Sequence, residues 1–264
     1  MMIRAMYVAK TGLEAQQVRL AAISNNLANA NTYGYKAGRA EFEDLLYQNV
    51  RQPGAQGTQD EANTLPSGLQ LGTGVKTIGV QKLHTQGNLI ITDQQLDIAI
   101  NGKGFFQVLD QNGQIMYTRD GSFQLNQNGD IVTSSGYLLE PNINVPQNAT
   151  EIMISQDGQV SVKIPGDTAP NVIGQIQLAT FINPAGLESI GQNFFRETAA
   201  SGAPTVNNPW TEDAGPVIQG ALEASNVNTA EELINMIEAQ RTYEMNSKTI
   251  AAANGMLQFL NNTV

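Results

Sequence analysis

Several short stretches of this sequence imitate sites that bind ligands, and calcium is the first candidate. Asp110-Gln-Asn112-Gly113-Gln114 resembles the opening of a calcium loop, in which carboxylate and amide oxygens at alternating positions hold the ion. The fifth position is glutamine, however, and the twelfth is Gly121 where such a loop needs a glutamate. The stretch therefore predicts a turn, and we predict no metal site in the chain.

A glycine-rich loop and a histidine are the next candidates. Residues 68–77 read GLQLGTGVKT, but an extra residue separates Gly74 from Lys76, and no strand–loop–helix context follows. His84 is the only histidine, and no second ligand type stands near it at metal-binding spacing, so we interpret it as a solvated side chain. These features predict a flexible loop and a surface residue, and we expect no cofactor.

Carboxylates offer the last route to chemistry. Glu140, Glu151 and Asp157 could form the acid and base pair of a glycan-cleaving enzyme, but nothing in the sequence brings two of them to one cleft. An enzyme of that kind stays a second hypothesis, which is separable because it would keep its activity after removal of both termini. No catalytic residue is predicted.

The composition restricts the classes of partner. The 264 residues include 14 basic and 24 acidic side chains, and the formal charge of -10 repels nucleic acid and gives no attraction to anionic lipid. No apolar run approaches the roughly 20 residues that span a bilayer, and MMIRAMYVAKTGLEAQQ lacks the apolar core and cleavage site of a secretory signal. The sequence contains no cysteine, which excludes disulfides and thiolate zinc sites. We expect neither nucleic acid binding nor direct membrane insertion.

Both ends of the chain carry heptad patterns that predict helices. At the N-terminus the first row is Met6, Leu13, Leu20 and Leu27, and the second is Ala9, Gln16, Ile23 and Ala30. At the C-terminus the first row is Met236, Tyr243, Ile250 and Leu257, and the second is Leu233, Gln240, Ser247 and Asn254. The C-terminal helix is predicted to begin with a capping box at Thr229 and to carry the surface ion pairs Glu238–Arg241 and Glu244–Lys248.

Neither predicted helix can bury its apolar side alone. Each pattern covers roughly 25 to 30 residues, or about 40 Å of helix. The polar members Gln16, Gln240, Ser247 and Asn254 reduce the apolar burial that a simple pair would gain. Two arrangements stay open: helices that order fully only when many chains pack together, and an antiparallel pair docked on the central domain.

The middle of the chain, residues 76–225, is predicted to be an all-β antiparallel domain. Short apolar runs such as LDIAINGKGFFQVL and QIMYTRDGSFQLN alternate with turn signals. The dipeptides Asn112-Gly113, Asp120-Gly121, Asn128-Gly129 and Asp157-Gly158 are expected to supply the positive φ of tight hairpins. Trp210, in the loop NNPWTEDAGP, is interpreted as packed in the core rather than as an interface residue.

The predicted fold class is therefore α+β. Residues 1–32 and 226–264 would pair as a coiled-coil-like helical domain, residues 33–75 would connect it to the β domain, and residues 76–225 would form that domain. Two polar segments, SNNLANANTYGYK at 24–36 and ASNVN at 224–228, lie where the helices adjoin the rest, because asparagine and threonine compete with helix through their own backbone. The predicted hinge residues are Asn26, Asn29, Thr32, Gly34 and Asn226.

The same stretches resemble the bacterial flagellar rod and hook protein family. SNNLANANTYGYKAGRAEFEDLL looks like the family's N-terminal signature, and ASNVNTAEELINMIEAQRTYEMNSKTIAAANGML looks like its C-terminal one. LDIAINGKGFFQV and YTRDGSFQLNQNGDIVTSSGYLL are similar to its β-domain segments. Residues 46–76 resemble the long insertion of the distal rod members. Gly255 stands where the family pattern has a helix former, and a glycine inside a helix costs about 1 kcal/mol relative to alanine, which weakens the last helical turns.

The resemblance implies a structural subunit and no enzyme. Copies would polymerise head to tail into the tubular distal rod, with the terminal helices around the export channel and the β domain as the outer wall. The rod would cross the periplasm as part of the basal body, and its subunits would be exported without a cleavable signal. Another rod or hook member of the family is the alternative.

The implied partners are other copies of the chain, proximal rod proteins, the hook protein, the ring proteins set in peptidoglycan and outer membrane, and the flagellar type III export apparatus. The insertion at 47–75 is expected to fill gaps between neighbours and make the tube rigid. The predicted assembly residues are Leu13, Leu20, Ile23, Leu27, Leu233, Met236, Tyr243, Ile250 and Leu257.

Overall fold

A computed structural model describes residues 2–51, 67–166, 169–211 and 213–263. The chain divides into two compact units. The first unit consists of Met1–Leu27, Gly38–Gln81 and Thr229–Val264, and the second of Ala28–Ala37 and Lys82–Asn228. The chain therefore passes between the units four times. The three-part division of the sequence into 1–32 with 226–264, 33–75 and 76–225 stays a prediction.

The described residues of the first unit form two long helices and four strands. The helices are α1 (Met2–Ala28) and α2 (Thr229–Thr263), and the strands are β1 (Gly38–Asp44), β2 (Gln48–Arg51), β3 (Leu69–Leu71) and β4 (Val75–Lys82). Strands β1 and β4 form one two-stranded sheet, and β2 pairs antiparallel with β3 in another. Strand β2 therefore meets β3 at the base of the predicted insertion, whose residues 52–66 lie outside the described ranges.

Helices α1 and α2 pair antiparallel. Asn26 near the end of α1 contacts Glu232 near the start of α2, Arg19 contacts Glu238, and Gly12 faces Asn246. A Cβ atom on Gly12 would lie 3.0 Å from the Asn246 amide nitrogen, so the helices approach closely at this level. Four buried alanines, Ala9, Ala15, Ala239 and Ala253, lie on these helices. These small residues permit the close approach of the two helices. The antiparallel pair therefore forms within a single chain.

The regular secondary structure described in the second unit consists almost wholly of antiparallel strands. In chain order they are β5 (Leu89–Ile91), β6 (Ile98–Ile100), β7 (Phe105–Leu109), β8 (Ile115–Thr118), β9 (Phe123–Leu125), β10 (Ile131–Thr133), β11 (Leu138–Glu140), β12 (Glu151–Ile154), β13 (Gln159–Lys163), β14 (Asn171–Gln175), β15 (Leu178–Thr180), β16 (Glu188–Gly191), β17 (Phe194–Arg196), β18 (Thr205–Asn207), β19 (Val217–Gln219) and β20 (Ala221–Glu223). One short 3-10 helix covers Pro184–Gly186.

The largest sheet of the second unit has nine strands. Its main path runs β16-β17-β8-β7-β11-β10-β9, and β15 joins β7 to β18. A three-stranded sheet has the order β12-β13-β14, and β19 pairs with β6 as β20 does with β5. The main core contains fully buried Ile98, Phe106, Leu139, Val160 and Leu178. The predicted α+β class, with terminal helices and a central antiparallel β region, is confirmed.

The turn prediction holds at three of its four glycines. Gly113, Gly129 and Gly158 have φ of 77°, 87° and 84°. Gly121 does not have a positive φ, and that part of the prediction is wrong. Glycine is required at this position for another reason: the backbone passes so close to Ile98 that a Cβ atom on Gly121 would lie 1.7 Å from the Ile98 carbonyl oxygen.

One other expectation, the packing of Trp210 in the core, is corrected by the structure. Trp210 is 65% exposed, with a left-handed backbone φ of 62°, so its side chain lies outside the core. The helix α2 continues through Gly255 to Thr263. One glycine costs only about 1 kcal/mol relative to alanine, which a helix of this length absorbs.

Candidate assembly surface and chain crossings

Helix α2 carries apolar side chains on two opposite faces. The inner face, buried or half-buried, includes Met236, Ala239, Tyr243, Ile250, Ala253 and Leu257. The outer stripe, defined as Ile234, Ile237, Met245 and Met256, is between 50% and 60% exposed. At about 100° per residue the centres of the two sets lie roughly 160° apart. A surface helix of a soluble protein normally has one apolar face, so α2 is built to contact more than α1.

The predicted assembly residues are distributed over both helices. Ile23 is buried, Leu233 is 48% exposed, and the others are half-buried: Leu13, Leu20, Leu27, Met236, Tyr243, Ile250 and Leu257. They stay predicted assembly residues.

The second heptad row of α2 was placed one residue too late. Gln240, Ser247 and Asn254 are exposed, whereas Ala239, Asn246 and Ala253 occupy the inner face. Alanine at 239 and 253 lets the helices approach, which a row containing glutamine would prevent.

The predicted ion pairs on α2 are also wrong. Among the described residues, neither Glu238–Arg241 nor Glu244–Lys248 forms. Glu238 instead reaches Arg19 of α1 at 3.7 Å, and Glu232 accepts a hydrogen bond of 2.8 Å from the Asn26 side chain. The packing of the two helices brings these groups closer than the intrahelical partners.

The predicted hinge residues Asn26 and Asn226 hold neighbouring backbone within their own units. The Asn26 side chain accepts from the Gly38 nitrogen at 2.8 Å and donates to the Gly38 oxygen at 2.9 Å. In the second unit, the Asn226 side chain accepts from the Ala37 nitrogen at 2.7 Å and donates to the Leu83 oxygen at 2.8 Å. Each asparagine therefore satisfies backbone groups at a point where the chain passes between units.

The other three predicted hinge residues form the turn after α1. The Thr32 hydroxyl contacts the Asn29 side-chain oxygen at 3.2 Å, and the Thr32 nitrogen donates to the Asn29 oxygen at 3.2 Å. Gly34 has a φ of 68°, and its backbone nitrogen donates a hydrogen bond of 2.8 Å to the backbone carbonyl oxygen of Glu223. The hinge function of these residues stays a prediction, but their local bonding defines the course of the chain.

A buried ionic cluster lies beside this turn, and the sequence reasoning missed it. The Lys36 ammonium lies 2.6 Å from Glu223, and both side chains are fully buried. Arg119 reaches the second oxygen of the same carboxylate at 3.3 Å, and the Gly87 nitrogen donates to the first at 2.8 Å. Burial lowers the pKa of Lys36, and the charge of Glu223 opposes that effect. The sequence signal for this cluster is weak: Lys36 and Glu223 are single charged residues between apolar or small neighbours, in YKA and ALEA.

His84 is packed near this cluster, so its interpretation as a solvated side chain is wrong. Its ring makes edge contacts with Phe105 at 5.6 Å and Phe195 at 5.4 Å between centroids. Burial, assisted by the charges of Lys36, Arg119 and Lys82, lowers the pKa of His84 to about 4. The ring is therefore neutral at pH 7.

The stability of the protein should consequently fall between pH 6.5 and pH 4. In that window the unfolded chain protonates its only histidine, whose usual pKa is about 6.5, while the folded chain does not. This difference in proton binding lowers the free energy of unfolding by about 2 kcal/mol between pH 7 and pH 4.5. We expect His84→Gln to reduce the pH dependence of urea unfolding by that amount. An unchanged dependence would contradict the protonation state assigned to the ring.

The stretches that imitated ligand sites form ordinary structure. Asp110 and Asn112 lie in a turn in which the Asn112 side chain donates to the Asp110 carboxylate at 3.0 Å. Across the described ranges, no three side chains of His, Cys, Asp or Glu gather as a metal site would require. In the same ranges, neither helix is both long and apolar enough to cross a bilayer.

A helix pair with an exposed apolar stripe, together with an antiparallel β unit, is typical of a structural protein that contacts further chains. Three family profiles match the chain: Flagella basal body rod protein at residues 6–36, Flagellar hook protein FlgE/F/G D1 domain at 99–162, and Flagellar basal body rod FlgEFG protein C-terminal at 218–263. The chain belongs to the flagellar basal-body rod protein family.

Similar proteins cover nearly the whole length of the chain. The flagellar basal-body rod protein FlgG of Buchnera aphidicola subsp. Acyrthosiphon pisum is 53% identical, over 98% of this chain and 99% of the relative. The FlgG proteins of Caulobacter vibrioides and Borreliella burgdorferi are 49% and 47% identical, with 97% and 99% of this chain and 97% and 98% of the relatives covered. The recognition made from the sequence is confirmed, as is a structural rather than catalytic role in the flagellar basal body.

Proposed function

We propose that this chain is the subunit of the distal rod, and that copies of it polymerise head to tail into a tube. The tube encloses the export channel and passes torque from the motor to the hook. The outer stripe of α2 is the observation that carries the proposal. Exposed apolar side chains along a helix whose other face is already covered need further helices, and repeated contacts of this kind produce a filament.

The assembly surface consists of the predicted residues on both helices together with the outer stripe. The half-buried members, such as Leu13, Leu20, Tyr243 and Ile250, keep part of their side chains exposed in the single chain, and a neighbouring copy can complete their burial. Burying one large apolar side chain contributes about 1.5 to 3 kcal/mol, so many such contacts along a polymer sum to a stiff structure.

The insertion at 47–75 supports the assignment to the distal rod. Its base is the β2–β3 pair, and four apolar side chains there are exposed: Leu46, Tyr47, Val50 and Leu69. We propose that these side chains contact neighbouring copies and make the tube rigid.

The further partners follow from the family resemblance. We propose contacts with the proximal rod proteins below, the hook protein above, the surrounding rings in peptidoglycan and outer membrane, and the flagellar type III export apparatus during assembly.

Met245→Lys should prevent polymerisation while leaving the monomer folded. The side chain is 60% exposed in the single chain, so its replacement costs little stability there, but it would place a charge in the helix packing of a polymer. We expect the critical concentration for polymerisation to rise at least about tenfold, which corresponds to ~1.4 kcal/mol per contact.

The matched control is Ser247→Lys, which adds the same charge to α2 outside the outer stripe. Electron microscopy and sedimentation of the purified chains provide the measurement. Polymers of Met245→Lys that form at the wild-type concentration would refute the role of the stripe.

A further inference from the structure

A small apolar socket lies at one end of the helix pair, within the first unit. Arg4, Tyr7 and Val8 of α1 line it, together with Gln48 of β2, Leu71 of β3 and the following Gly72 and Thr73. Its volume is about 270 Å³, just below the range of roughly 300 to 1,000 Å³ that small-molecule sites occupy. The socket therefore fits one or two side chains. Arg4 is exposed at its rim and forms no ion pair with any other described residue.

A complementary patch lies at the opposite end of the same helix pair. It consists of exposed Glu231, Leu233, Ile234 and Ile237 in the first turns of α2. Since Asn26 is level with Glu232 and Gly12 with Asn246, Arg4 lies level with a position near residue 254. At 1.5 Å per residue, socket and patch are about 30 Å apart along the helix axis. A chain therefore cannot fill its own socket with its own patch.

We propose that the patch of one copy docks in the socket of the next, with Ile234 inside the socket and Glu231 beside Arg4. This contact rests on the proposed polymerisation and specifies which surfaces meet. Because the two surfaces differ and lie at opposite ends, the contact is heterologous and propagates without closing on itself. Each chain carries a formal charge of -10, so copies repel one another generally. A local pair of opposite charges then selects the register of docking.

A charge exchange tests the pair directly. Arg4→Glu and Glu231→Arg should each raise the critical concentration of the purified full chain about tenfold, because each places two like charges together. The double variant restores opposite charges and should polymerise within a few-fold of wild type. Lys103→Glu inverts an exposed charge in the second unit and should have no effect.

A second variant blocks the socket without changing charge. A Cβ atom on Gly72 would meet only the Tyr47 ring at 3.6 Å, an ordinary contact, so Gly72→Leu should fold normally while adding bulk at a residue that lines the socket. We expect its melting temperature to match the wild type and its polymerisation to be lost.

The outcomes separate this contact from the polymerisation on which it rests. If the wild-type chain forms no polymer on nucleation, the proposed function fails. If the wild type polymerises but the double charge variant does not recover, or Gly72→Leu polymerises normally, the socket is not the docking site. Thermal unfolding of each monomer excludes misfolding, and the Gly72 variant decides the matter should a charge variant fail to fold.

Discussion

Glu223→Gln is expected to destabilise the second unit by about 3 to 5 kcal/mol, the usual cost of removing one partner from a buried ion pair. Both oxygens of the carboxylate accept hydrogen bonds from donors: one from Lys36 and the Gly87 nitrogen, the other from Arg119. Glutamine preserves the volume but turns one acceptor into a donor that faces another donor. It also leaves two buried cations without a counter-charge.

Urea unfolding at pH 7 measures this effect, and an exposed ion pair provides the control. Glu188 lies 2.8 Å from Arg196, and both side chains are about half exposed. Since such surface pairs contribute at most about 1 kcal/mol, Glu188→Gln should have little effect. Similar losses in the two variants would show that the buried cluster is no more important than a surface pair.

Gly34→Ala is expected to cost about 3 kcal/mol or more through backbone strain and a steric clash. The residue has a φ of 68°, and an added Cβ would lie 2.5 Å from the Asp120 nitrogen and 2.7 Å from the Arg119 carbonyl carbon. Both atoms belong to the backbone and cannot rotate away. The displacement would also disturb the hydrogen bond from Gly34 to Glu223.

Gly113→Ala separates these two causes. Gly113 has a φ of 77°, but an added Cβ would have no heavy atom within 4 Å. The control therefore reports only the left-handed backbone, which costs roughly 1 to 2 kcal/mol. Thermal unfolding should rank Gly34→Ala well below Gly113→Ala in stability. Equal losses would mean that the chain around Gly34 rearranges freely.

The helices were predictable because their signal is local and repeated. Met236, Tyr243, Ile250 and Leu257 recur at a heptad interval, and all four lie on the face towards α1. The second row could not be chosen from the sequence, because spacing does not reveal that close approach favours alanine at 239 and 253. The outer stripe could not be recognised from the sequence for the same reason. Apolar residues are spread around the whole of α2, and only the structure shows which of them pack against α1 and which stay exposed.

The β region was predictable from its turns, whereas the ionic cluster was not. Lys36, Arg119 and Glu223 come from segments that are distant in sequence, and no spacing rule links them. His84 was misread because a lone histidine carries no information about its neighbours. Its packing against Phe105 and Phe195 depends on where β7 and β17 lie in the sheet. Long-range contacts of this kind require the three-dimensional structure.

The fourfold passage of the chain between the two units has a mechanical consequence. On the second unit's side, residues at three of these passages are held together by direct bonds: Ala37 with Asn226, Leu83 with Ala37, and Lys82 with the Lys36 oxygen. Within the second unit, the three segments are therefore bonded to one another near the points where they leave it, so a force on one of these segments also acts on the other two.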